Sequence, residues 1–205
     1  MSNEVQTKEK INLDPKYIIK LTVTLFLTCV VVAGLLGLVN SVTEGPIAEI
    51  NKAKTEEAMK AVVADPEGST FSDALEITGD MTAAASSAGG SITEAYEAQA
   101  GGSVIGYALK IVASGSQGNI EMMVGVDAEG AVTGVSIVKN SETSGIGSKV
   151  MSNENGVLDQ FIGKSAADGT LTVGKNVDAI SGATVSSRGV TTGVNAALAV
   201  AGVMG

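Results

Sequence analysis

Between Ser181 and Ser187 the sequence Ser-Gly-Ala-Thr-Val-Ser-Ser places four hydroxyl side chains and a glycine just ahead of a run with helical spacing. Val190, Val194, Ala197, Leu198 and Ala201 recur on one face, so a helix is expected over Val185 to Val203, beginning just after Thr184. The free backbone N–H groups and positive dipole end of such a helix attract an anion, most often phosphate. Serine and threonine are also the preferred helix caps, so on local physics a plain helix start explains the same residues. A second polar cluster, Glu142-Thr143-Ser144-Gly145-Ile146-Gly147, lies about forty residues earlier. Its glycines permit close backbone approach, Ile146 offers an apolar contact, and Glu142 and Thr143 can hydrogen-bond or hold the loop. Taken alone, it reads by default as a surface turn with no ligand.

The remaining composition narrows the chemistry. With no His and one Cys in 205 residues there is no His-based triad, no Cys/His zinc site, no axial-His haem and no intramolecular disulfide. No catalytic side chain and no metal site are expected, and any chemistry must be borrowed from a bound group. Thirteen Lys+Arg against 22 Asp+Glu give a net charge of −9, and Arg188 is the sole arginine, which argues against nucleic acid as a partner. Twenty-six glycines with three Tyr, three Phe and no Trp imply a core of small aliphatics with close backbone packing.

The elements that must position these clusters begin with a membrane anchor. Leu21 to Thr43 contains no ionisable charge. At about 1.5 Å per residue it is roughly 34 Å long, enough to cross a hydrocarbon core of about 30 Å. A cleaved signal peptide is the rival reading, but its apolar region would be shorter and followed by a small-x-small cleavage site. Lys8, Lys10, Lys16 and Lys20 precede the span, while Lys52, Lys54 and Lys60 follow at greater distance; this favours a cytoplasmic N-terminus and an extracytoplasmic C-terminal domain. Cys29 falls mid-span as a small apolar residue, and Ala33, Gly37 and Ser41 share a helix face that either approaches another membrane helix or faces lipid.

Beyond the span, Pro46 to Ala64 reads as an amphipathic helix with Pro46 in its first turn. Thr82 to Ser91 reads as a loop, although its alanines are compatible with helix. Four strands follow, Ile92–Ala100, Ser103–Ala113, Ile120–Asp127 and Ala131–Asn140, joined by short turns as in an antiparallel sheet. Ser114 to Asn119 is a glycine-rich loop at one sheet end, Val157–Gly163 suits a short helix, and Leu171–Val173 a brief strand. The fold class is α+β, a single N-terminal transmembrane helix and then one domain: tail 1–20, anchor 21–43, membrane-proximal helix and linker 44–91, and ligand-binding domain 92–205.

Asp178-Ala179-Ile180-Ser181-Gly182-Ala183-Thr184 resembles the D-x-x-[ST]-G-A-[TS] pattern that a flavin transferase recognises when it couples FMN to a threonine or serine hydroxyl. The resemblance implies a phosphoester between FMN and Thr184, with Ser181, Gly182, Ala183, Val185, Ser186 and Ser187 around it. It implies transferase recognition for Asp178, Ser181, Gly182 and Ala183. Glu142 to Gly147 resembles the E-T-P-G-[LI]-G loop of the FMN-binding subunits of Rnf and sodium-pumping quinone reductase complexes. Ser144 replaces the proline, making the loop more mobile, and Asn140 stands where a histidine is common. By this likeness Glu142, Thr143, Gly145, Ile146 and Gly147 attend the flavin.

The order of these features, a single N-terminal span and the compact length make the chain similar to the G-type subunit family of Rnf ion-translocating ferredoxin:NAD oxidoreductases. The C-type subunit of the sodium-translocating NADH:quinone reductase shares both motifs and is usually longer between anchor and flavin domain. The resemblance implies an electron-carrying subunit with covalent FMN, partnered by other membrane subunits of the complex and, during maturation, by a flavin transferase. The alternatives are a quinone-reductase protein of the C type, a solitary flavin carrier, and a non-catalytic anchored extracytoplasmic binding or scaffold domain in which the Ser-Gly-Ala-Thr run is only a helix cap.

Overall fold

The computed structural model describes residues 14–63 and 65–204. Lys8 and Lys10, most of the tail 1–20, and Ala64 at the expected end of the membrane-proximal helix lie outside them. The chain divides into two compact units, Met1–Ile50 and Asn51–Gly205.

The first unit is built on helix α1, Pro15–Val62, whose last turns belong to the second. From Tyr17 to Ile50 its large apolar side chains are exposed. The hydroxyls of Thr22, Thr24 and Thr43 donate to the carbonyls of Ile18, Lys20 and Val39 four residues back, at 2.9, 2.8 and 2.9 Å. Those polar atoms are thus satisfied within the helix, as an apolar solvent requires. Among the described residues this is the one helix long and apolar enough to cross a membrane. A separate helix beginning at Pro46 is not formed, because Pro46 lies inside α1. A proline removes one backbone donor and strains the preceding turn; here the helix formers after it and the burial of Thr55, Ala58, Met59 and Val62 carry the helix onward.

In the second unit a five-stranded antiparallel sheet runs in sequence order: β1 Thr70–Phe71, β2 Gly90–Ala100, β3 Ser103–Ser114, β4 Asn119–Asp127 and β5 Val132–Lys139. The four expected strands are present, and two-residue β1 adds an edge. Thr82 to Ser91 is corrected from loop to helix plus strand start: α2 spans Gly79–Ser87. Thr78 caps it, accepting from the Met81 N–H at 3.3 Å, and Met81 and Ala85 are buried. Tertiary burial thereby outweighs a low-complexity sequence. After β5 come the five-residue helix α3, Gly147–Met151, three 3-10 turns, and α4, Thr184–Met204. The short helix expected at Val157–Gly163 is only a 3-10 turn at Asp159–Phe161. Leu171–Val173 forms no strand beyond a single bridge from Val173 to Val177.

Helix α4 covers one face of the sheet, packing Val190, Val194, Ala197 and Leu198 into a core with Leu109, Ile111, Met122 and Val124. It lies close because its sheet-facing side is small. A Cβ on Gly189 would come within 2.6 Å of the Ser114 carbonyl, and one on Gly193 within 2.5 Å of the Met122 thioether. The last turns of α1 cover the opposite face, where Ala58, Met59 and Val62 meet Ala108 and Met123. On that face Lys110 Nζ lies 2.8 Å from Glu94 Oε1, and the Tyr96 hydroxyl donates to Glu94 Oε2 at 2.6 Å. Burial works to raise the Glu94 pKa, but the hydrogen bonds from Lys110 and Tyr96 and the lysine charge outweigh it and hold it below the usual range. Burial first, then the adjacent carboxylate, push the Tyr96 phenol up to about 12.

Three outcomes follow from this packing. Gly189→Ala meets backbone and is expected to cost about 1–3 kcal/mol in denaturant unfolding. Gly193→Ala meets the flexible end of a methionine and gains helix propensity, so it stays within about 1 kcal/mol of the parent. In an absorbance titration of phenolate, Tyr96→Phe removes a component titrating near pH 12. Because that folded pKa is raised, the stability it contributes is complete below the ordinary tyrosine pKa and is lost as pH rises through about 12.

Candidate functional site

Two turns of the same design bring the polar clusters together. Ala183 N–H donates to the Ile180 carbonyl at 2.9 Å, closing a turn with Gly182 at φ +82°. Ile146 N–H donates to the Thr143 carbonyl at 3.2 Å, closing a turn with Gly145 at φ +78°. A left-handed residue at the third position is the mark of a type II turn, which favours glycine there. Each turn leads directly into a helix, α3 after the first motif and α4 after the second.

A cleft of about 170 Å³ lies between them, lined by Glu142, Thr143, Ile146, Gly147, Gly182, Ala183, Thr184, Val185 and Ser186 together with Ser116. Thr184 is the first residue of α4 and is exposed. The first backbone bond of the helix runs from Ser187 N–H to the Ala183 carbonyl at 2.9 Å. Among the described residues the N–H groups of Thr184, Val185 and Ser186 therefore have no acceptor. These three donors and the dipole end of a 21-residue helix, beside a hydroxyl with no partner among the described residues, make a place for an anion. Ile146 and Val185, 50% and 53% exposed, add two aliphatic surfaces at the cleft mouth.

Glu142 ties the cleft together. Its Oε1 accepts from the backbone N–H groups of Ser116 at 2.7 Å and Gln117 at 3.2 Å, and its Oε2 accepts from the Ser186 hydroxyl. Gly147 is required by this arrangement, since a Cβ there would collide with the Glu142 carboxylate and Ser186. Ser187 is buried and occupied elsewhere, donating to the Ala183 carbonyl at 3.1 Å and accepting from Ile180 N–H at 3.4 Å.

Asp178 and Ser181 lie in a separate groove of about 550 Å³, beside Lys149, Glu154 and Gln160. The Gln160 amide pairs with the Asp178 backbone, accepting from its N–H at 2.7 Å and donating to its carbonyl at 3.1 Å, so a long-range side chain presents this segment. Asn195 of α4 pairs with Leu171 in the same way, at 2.9 Å in both directions. Gly145 is exposed and does not line the cleft; its N–H donates to Ser148 Oγ at 2.8 Å. Sequence reasoning missed the wall formed by Ser116 and Gln117. Its only signal was the glycine-rich composition of Ser114–Asn119, which does not say what the loop meets.

The FMN-binding domain family matches residues 115–199, a span that contains every cleft residue. The G-type subunit of the Na(+)-translocating ferredoxin:NAD(+) oxidoreductase complex of Acetobacterium woodii is 35% identical, over 96% of this chain and 97% of that one. The G-type subunit of the ion-translocating oxidoreductase complex of Methanosarcina acetivorans is 31% identical, over 90% of this chain and 95% of that one. A crystal structure of the C-type subunit of Na(+)-translocating NADH-quinone reductase from Parabacteroides distasonis is 18% identical, with a TM-score of 0.48 over 74% of this chain and 90% of that one. The apolar α1 and kinship to subunits of ion-translocating complexes mark a membrane protein. An antiparallel FMN-binding domain behind one apolar helix, matched nearly end to end by these relatives, places the chain in the G-type subunit family of the Rnf-type ion-translocating oxidoreductase complexes.

Proposed function

We propose that this chain is the electron-carrying subunit of such a complex, with FMN bound through a phosphoester to Thr184 and electrons passing through it between ferredoxin and NAD. The observation that carries this is exposed Thr184 at the start of α4, beside three N–H groups that have no acceptor among the described residues. Those donors offset the charge of a phosphodiester. The cleft fits a phosphate and the start of the flavin side chain, being smaller than the ~300–1,000 Å³ of a site that encloses a whole ligand. Ile146 and Val185, aliphatic and exposed at the cleft mouth, would hold the flat ring, with Thr143, Gly145 and Gly147 shaping the adjoining loop.

When bound, FMN supplies the redox chemistry. The residues of this chain bind and orient it. Direct joining of FMN to a hydroxyl expels water, so the donor must carry FMN on a phosphoanhydride, as a flavin dinucleotide does. The Thr184 Oγ–P bond replaces the anhydride P–O bond, the threonine proton passes to the transferase or water, and the nucleoside monophosphate leaves. Asp178, Ser181, Gly182 and Ala183 present the hydroxyl to that transferase. Residues 21–43 span the membrane once as an anchor, with tail 1–20 cytoplasmic, the linker 44–91 and the flavin domain 92–205 extracytoplasmic, and other membrane subunits move the ion. The charge-free span contains no relay group for one.

Co-production with a flavin transferase, followed by intact mass and fluorescence of the denatured band, tests the bond. The parent chain gains the mass of FMN minus water, Thr184→Ser keeps the label, and Thr184→Ala loses it entirely. A label surviving Thr184→Ala rejects the assignment, and an unlabelled parent favours the scaffold alternative. The loop offers a second check. Ser144 occupies the second position of the Thr143–Ile146 turn, where proline is favoured, and among the described residues its N–H has no acceptor. Ser144→Pro is expected to stabilise the chain by about 0.4–1 kcal/mol in thermal unfolding, by narrowing the unfolded ensemble.

A further inference from the structure

We infer that Glu142 is a positioning residue that fastens the three walls of the cleft to one another rather than a ligand of the flavin, and that the β3–β4 turn at Ser116–Gln117 is the wall it holds in place. The inference rests on the FMN reading of this cleft. Three elements far apart in sequence meet at one carboxylate: the Glu142 loop itself, the turn 25 and 26 residues before it, and Ser186 in the first turn of α4, 44 residues after it. Each carboxylate oxygen is already engaged, Oε1 by two consecutive backbone N–H groups and Oε2 by the Ser186 hydroxyl. Consecutive N–H groups of a turn form a concavity suited to an anion, and the carboxylate fills it.

The surroundings enclose the group further. A Cβ on Gly115 or on Gly147 would strike the Glu142 carboxylate, so both glycines are shaped to it. The Glu142 N–H donates to Asn140 Oδ1 at 3.1 Å, anchoring the residue from behind. Its negative charge at the first turn of α4 also favours that helix. Without the carboxylate, two turn N–H groups and the Ser186 hydroxyl lose their shared acceptor. The spacing between Ser116 and Thr184 is then no longer held.

The test uses the full chain in detergent with a flavin transferase and a flavin dinucleotide donor. It measures the rate of flavin incorporation, the visible spectrum and midpoint potential of the loaded protein, and amide hydrogen exchange at residues 115–118. Glu142→Ala is expected to slow incorporation by about 10–100-fold, as a misplaced reacting group does, and to speed exchange at Ser116 and Gln117. Glu142→Gln keeps an oxygen for the turn and gives an amide donor to Ser186 Oγ, so incorporation stays within about threefold of the parent. Its spectrum and potential stay those of the parent, because no charge on the ring side is removed. Ser186→Ala slows incorporation by a smaller factor and adds nothing in the Glu142→Ala background, as members of one network behave. A shifted potential or spectrum in Glu142→Gln, or unchanged exchange at 115–118 in Glu142→Ala, overturns the inference. Exchange is read on unlabelled protein too, so a failure of the Thr184 attachment is distinguishable: it abolishes the label in the parent and leaves the exchange difference in place.

Discussion

The close approach of α4 to the sheet is the constraint on which the rest of the flavin domain depends. A helix set at ordinary distance by large side chains could not bring its first turn to the β3–β4 end of the sheet. Gly189 rests against the Ser114 carbonyl and Gly193 against Met122, so the helix start is held one turn from where β3 ends. That places Ser186 within reach of Glu142, and Glu142 within reach of the following turn. Core packing and the candidate site are therefore one construction: the contacts that bury Val190 and Val194 also fix where the free N–H groups of Thr184 to Ser186 stand.

The two faces of the sheet have separate duties. The α4 face is the main hydrophobic core and ends in the cleft. The other face receives the last turns of α1 in a smaller cluster and carries the Lys110–Glu94–Tyr96 chain of polar contacts. The pair is partly desolvated and hydrogen-bonded on both carboxylate oxygens, the geometry in which an ion pair retains its attraction. In a protein without histidine, with 26 glycines and six aromatic residues, specificity comes from such close contacts and from turn geometry more than from large side chains.

Legibility in the sequence followed the range of the forces involved. The strands β2 to β5 and the helix α4 show their periodicity locally, and the structure has them within a residue or two. The two glycine turns were legible as motifs because a left-handed position is a property of a few adjacent residues. Helix α2 was not, since alanine and serine runs carry little pattern and its stability comes from packing against α4. Pro46 misled in the other direction: its local preference for a helix start is overridden by helix formers on both sides.

The sequence by itself determined which residue types are available: hydroxyls at a helix start, a Glu-Thr-Ser-Gly-Ile-Gly loop, one charge-free span and no histidine. It also determined the family, because the likeness to G-type subunits runs along nearly the whole chain. Only the tertiary structure decided that the two motifs face one cleft, that Ser186 is engaged by Glu142 while Ser187 turns to its own backbone, and that Asp178 and Ser181 open onto a different groove. It alone added the Ser116–Gln117 wall. Those contacts join residues 25 to 44 positions apart, and such distances are set by how helix and sheet pack, which local preferences do not encode.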